Sequence, residues 1–141
     1  MPNRTTIRSN IQSVLVAEGS FGARVYIGRY DPIPEANLPA ARVSLRSEEI
    51  TPLSHIPRRV GREAEYVVEI YAVESSGTEV EAALDTLTQA VEEAIDSDTT
   101  LSGACKDIIA TRIDYEVSTE NNKDFARAEM AFRVYYETVE A

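Results

Sequence analysis

Cysteine and histidine each occur once in this chain, and tryptophan does not occur at all. A lone Cys105 cannot close an internal disulfide, so nothing points to an oxidising compartment. As a nucleophile it would need a base, and the single histidine, His55, sits about fifty residues away in a proline-rich stretch. The paired spacings of zinc sites, a glycine-rich phosphate loop and a G-x-S-x-G elbow are all missing. No apolar run approaches the ~18 residues a membrane helix needs. The opening MPNRTTIRSN has no apolar core behind its charges, so no secretory signal is expected there. These absences make catalysis, a metal centre, a cofactor and a membrane location unexpected. A soluble protein made in a cytoplasm is the expectation.

Acid is what the chain has in excess. Its 24 acidic residues face 14 basic ones, for a net charge of −10. Wrapping nucleic acid by counterion release needs a positive surface, so DNA recognition is not expected as a main role. An acidic wall does suit a protein that DNA must pass without sticking. The bases are skewed: only Lys106 and Lys123 are lysines, and the rest are arginines. Arginine is the cation favoured at protein interfaces, because its planar fork pairs with carboxylates at low entropic cost; a GC-rich genome would give the same bias. With 141 residues and 43% hydrophobic content, one domain is expected, able to bury roughly two-thirds of its unfolded surface.

Hydrophobic periodicity predicts the elements. Ile7, Ile11, Val14 and Leu15 share one face of an amphipathic helix that GSFG ends. ARVYIGRY reads as a strand with Val25 and Ile27 on one side and Tyr26 on the other, and DPIPEANLPA as an irregular linker. Alternation resumes through Ala41, Val43 and Leu45, with Arg42, Ser44 and Arg46 facing away. ITPLSHIPRRVGR carries two prolines, a glycine and three arginines, and an irregular loop is expected over about 47–62. In EAEYVVEIYAV, Ala64, Tyr66, Val68, Ile70 and Ala72 share a face opposite Glu63, Glu65 and Glu69. A second helix follows on Val80, Ala83, Leu84, Leu87, Val91, Ala94 and Ile95, with Thr78 and Glu81 spaced as a capping box. Two strands joined by TENNKD then form a hairpin, the last alternating from Ala126 to Tyr136. The order helix, three strands, helix, two strands predicts an α+β domain. It would hold an antiparallel or mixed sheet of about five strands packed against two helices.

Two features invite a chemical reading. Asp96 and Asp98 form a D-x-D without the further oxygen ligands of a calcium loop, so they read as the solvated end of a helix. Cys105 reads as a small buried hydrophobe or a surface thiol. Leu101 is expected to plug the core, Gly103 to permit a turn, and Cys105 to begin a strand. Arg58, Arg59 and Arg62 form a cluster suited to acids on a partner chain, or else simply a solvated loop.

Taken in order, the landmarks resemble a known family over nearly the whole chain. They are the N-terminal helix and strand, DPIPEANLPAARVSLRSEEI, the charged strand REAEYVVEIYA, the helix ALDTLTQAVEEAI, and DTTLSGACKDI ahead of the hairpin. Leu38-Pro39-Ala40, Leu84-Asp85 and Asp98…Leu101-Ser102-Gly103 are the most specific parts. The chain is similar here to the tail terminator proteins of long-tailed bacteriophages, the family of the lambda minor tail protein U. A glycine often replaces Ser102 in such links, and SHIPRRVGR is less typical. The resemblance implies a non-enzymatic protein that forms a hexameric ring on the finished tail tube. The ring would stop tube-subunit addition and offer a surface to the head-side connector protein. Its partners would be itself, the tail tube protein and that connector, with DNA passing through without specific binding. Its place would be the head-proximal end of the virion tail, after assembly in the host cytoplasm. Arg42, Arg46, Arg58, Arg59 and Arg62 are the expected contact residues, with Glu63, Glu65 and Glu69 as candidate partners. The alternatives are another neck or head–tail joining protein, or a small-molecule-binding regulatory α+β domain.

Overall fold

A computed structural model describes residues 4–27, 38–73, 79–120 and 123–140. Helix α1 (Arg4–Glu18) is followed by β1 (Val25–Ile27), β2 (Ala40–His55) and β3 (Arg58–Val73). Helix α2 (Val80–Asp96) then leads to β4 (Asp107–Glu120) and β5 (Lys123–Glu140). The strands form one five-stranded sheet in the order β1-β2-β3-β5-β4. Only the β1–β2 pair is parallel, so the sheet is mixed and the fold is α+β. The element order is the one the periodicity predicts.

Both helices lie on one face of this sheet. Ile7, Ile11 and Leu15 of α1 and Val80, Leu84, Leu87, Val91 and Ile95 of α2 are buried. They meet Tyr66, Val68 and Ile70 of β3 and Met130, Phe132 and Val134 of β5 in a single core. Each such side chain contributes about 1.5–3 kcal/mol by leaving water, which is why a stripe of five on α2 holds that helix down. The N-cap of α2 is Glu79, which makes no side-chain cap bond. Thr78, on which the expected capping box rests, lies outside the described residues, as do most of the DPIPEANLPA linker and the Asn121–Asn122 turn. Pairing of Glu120 with Lys123 nonetheless brackets that turn as a hairpin.

The expected irregular loop at about 47–62 is not a loop. β2 and β3 stay paired to His55 and Arg58, leaving a two-residue turn at Ile56–Pro57. The prolines mislead for a physical reason. Among the described residues β1 pairs with 41–43 alone, so Pro52 sits where β2 is the sheet's edge, and an edge strand tolerates a missing N–H. Pro57 occupies the turn itself, where the Ser54 hydroxyl donates to its carbonyl at 2.7 Å. β5 runs alongside to Glu140, opposite Arg58, so the distal part of the sheet is a three-stranded arm.

β2 shifts register twice, between Leu45 and Ser47 and between Pro52 and Ser54 in the arm, and β4 once, between Ala110 and Arg112. Leu45 pairs with Tyr66, Tyr66 with Phe132, and Phe132 with Ala110. The Leu45/Ser47 and Ala110/Arg112 irregularities therefore lie level with each other, on either side of the continuous strands β3 and β5.

The joint between α2 and β4 holds three consecutive left-handed residues, Leu101 (φ 49), Ser102 (φ 59) and Gly103 (φ 88). Leu101 is fully buried, and its carbonyl accepts from the Asn10 side chain of α1 at 2.7 Å. Asp98 accepts the Ser102 amide at 3.1 Å and its hydroxyl at 3.3 Å, so this acid fastens the turn. Cys105 is buried two residues before β4 begins at Asp107, a small correction to the expected strand start. Burial, with the nearby Asp107 and Asp98 charges, pushes its thiol up to about 11.

Candidate functional site

The sheet face away from the helices is a lattice of opposite charges. Odd-numbered side chains of β3 and β5 point to it, and with neighbouring strands it collects six of the eight candidate residues, Arg59 at its distal end. Glu69 accepts from Arg127 at 3.2 Å, and Arg127 also reaches Glu129 at 2.8 Å and Glu116 at 3.4 Å. Glu63 pairs with Arg133 at 3.0 Å, and Glu65 lies 3.9 Å from Arg112. Arg46, the bulged residue of β2, pairs with Glu129. The Arg42 guanidinium lies over the Tyr71 ring, 5.6 Å from its centroid. Exposed pairs of this kind are each worth little in stability, at most about 1 kcal/mol. Their main effect is to hold an ordered pattern of alternating charge.

Arg62 is placed elsewhere. It has the parity of Ala64 and Tyr66, so it points to the helix side and is only 6% exposed. Its guanidinium donates to Glu48 at 3.0 Å and to the Thr138 hydroxyl at 3.1 Å. Arg4 at the start of α1 donates to the same Glu48 carboxylate at 3.1 Å, and the Tyr136 hydroxyl donates to its other oxygen. Burial alone would raise the Glu48 pKa, but the hydrogen bonds from Arg4, Tyr136 and Arg62 outweigh it and hold the carboxyl below its ordinary value. This cluster closes the end of the core where α1 begins, and it removes Arg62 from the surface. Adjacent acids at Glu48 and Glu49 gave no hint of it; the even parity of Arg62 on β3 was the available signal.

Arg58 and Arg59 stand at the arm's end, where Arg59 pairs with Glu137 and Arg58 lies opposite His55. Exposed aliphatic residues gather around them: Ile50, Leu53, Ile56 and Val139, with Ile56 at the apex 96% exposed. Gly61 lets this end pack closely, since a Cβ there would lie 3.0 Å from the Tyr135 hydroxyl and 3.5 Å from Leu53.

Both margins of the sheet are open within the chain. Among the described residues, β4 is the terminal strand on one side, and on the other β2 has no strand beside it from Ser44 to His55. Among the described residues no group of three or more His, Cys, Asp or Glu side chains is arranged to hold a metal ion. What these surfaces can do is recognise another protein, by backbone pairing at the margins and by charge on the outer face.

Comparison with known proteins narrows the reading. No curated protein sequence matches the chain. Among solved structures it is similar to a chain from the virion of a native gene transfer agent particle, at 18% identity and a TM-score of 0.48, over 94% of this chain and 92% of that one. The family described as phage minor tail protein U matches residues 2–136. The chain belongs to the phage minor tail protein U family.

Proposed function

We propose that this phage tail structural protein is a tail terminator. Copies of it form a ring on the head-proximal end of the finished tail tube, stop further tube-subunit addition and present a surface to the head-side connector protein. The observation that carries the reading is the pair of margins left open among the described residues, β4 on one side and β2 beyond Val43 on the other. Open margins are an aggregation hazard in a monomer, and ring closure covers them. The two margins differ, so joining one to the other is a head-to-tail contact that closes into a ring when the rotation allows. A hexamer would carry about −60 in charge, which favours DNA sliding past its wall without binding. On the outer face Arg42, Arg46, Glu63, Glu65 and Glu69 are the proposed contact residues, together with Arg58 and Arg59 on the arm.

Deleting the gene and measuring tails by electron microscopy tests this. A terminator's loss yields overlong tubes. Detached tails of normal length would instead assign the chain to head–tail joining.

A further inference from the structure

We infer that the apolar tip of the β2–β3 arm docks in a groove between β4 and α2 of a second copy of this chain. The groove is lined by Leu84, Tyr115 and Val117, with Glu81 and Asp85 along its rim. Tyr115 and Val117 have the inward parity of Ile113, yet they lie beyond the cover of α2 and are 55% and 45% exposed. Among the described residues nothing covers these two bulky side chains, which make an apolar floor on the helix side of an edge strand. The arm offers apolar side chains to cover it, with Ile56 exposed at its apex and Ile50 and Leu53 behind it. Charge agrees as well. From Ile50 to Gly61 the chain holds Arg58, Arg59 and His55 but no acid, in a protein whose net charge is −10. The groove rim is acidic.

The occupant cannot be the molecule's own arm. Arg59 pairs with Val139, while Val117 pairs with Ala126 of the same strand β5. Tip and groove are thus roughly 40 Å apart along β5, at opposite ends and opposite margins of the sheet. Two complementary patches so placed make a head-to-tail contact between copies. The tip lies at the C-terminal end of β2, and Tyr115 and Val117 lie in the C-terminal half of β4. The inference rests on the ring reading and names the contact that would lock it.

Cross-linking tests it on the full chain in a Cys105→Ala background. One copy carries Ile56→Cys and the other Val117→Cys; they are mixed at high concentration and on isolated tails, then oxidised. The expected product is a cross-linked dimer from the mixture and none from either variant alone. Asp85→Arg should weaken self-association about tenfold, and adding Arg58→Glu should recover part of it. If rings form but the mixed pair does not cross-link, the docking is overturned while the ring stands. Cross-linking of Ile56→Cys to itself, or to the tube subunit, overturns the docking in favour of that occupant. Circular dichroism checks that each variant is folded. If the wild type assembles neither in solution nor on tails, both readings fall.

Discussion

Glu48 carries more of the fold than its exposed neighbours do, because three donors converge on one enclosed carboxylate. Replacing it with glutamine leaves the Arg62 guanidinium buried without its counter-charge. The expected cost is about 3 kcal/mol at neutral pH, read by urea unfolding. Changing Arg62 and Glu48 together to apolar residues of similar volume should cost less, since no orphan charge remains. The pH dependence has a definite sign. Hydrogen bonds lower the Glu48 pKa in the folded chain, so its contribution is fully present above the unfolded value near 4.5. It is lost as pH falls through the lower folded value, and the gap between wild type and Glu48→Gln should narrow there. A gap that stays constant down to the acid limit would show that Glu48 is not ionised in the fold. Cys105 is the opposite case: a buried thiol held protonated at neutral pH, with no role that its chemistry would suggest.

Among the elements, the joint between α2 and β4 is the most constrained. Its three successive positive φ angles turn the chain so that Leu101 enters the core, while Asn10 ties it to α1 and Lys106 donates to the Tyr135 carbonyl of β5 at 2.8 Å. Gly103 at φ 88 is the residue the turn can least exchange. Gly103→Ala is expected to cost about 1–2 kcal/mol, seen as a lowered midpoint in thermal or urea unfolding. An unchanged midpoint would mean that the turn relaxes freely. Alternation on β3 and β5 and the stripe on α2 were legible in the sequence because burial on one face imposes its period directly. The arm was not. Proline and glycine there signal broken structure, and only the sheet order shows that Pro52 lies on an uncovered strand. The outer-face residues were found by their charge and parity. Glu48, Tyr136 and Glu129 as convergence points were missed, since each depends on pairing with strands or helices distant in sequence.

For the whole molecule, acidity governs encounters before any contact forms. With a net charge of −10, duplex DNA should show no mobility shift with this protein even at low salt, where counterion release would favour binding most. A shift that vanished with added salt would reveal a cationic path along the assembled wall. The level bulges of β2 and β4 bear on growth of a different kind. Each outer strand spends one residue more than its inner neighbour at the same height, so both margins are kinked at Arg46 and Thr111. A flat foreign strand cannot run the length of either margin and would lose its register at the kink. A strand kinked at a matching height could continue, and the chain carries one such strand on each side. Bare margins otherwise invite indiscriminate strand-by-strand stacking, and the two kinks oppose it.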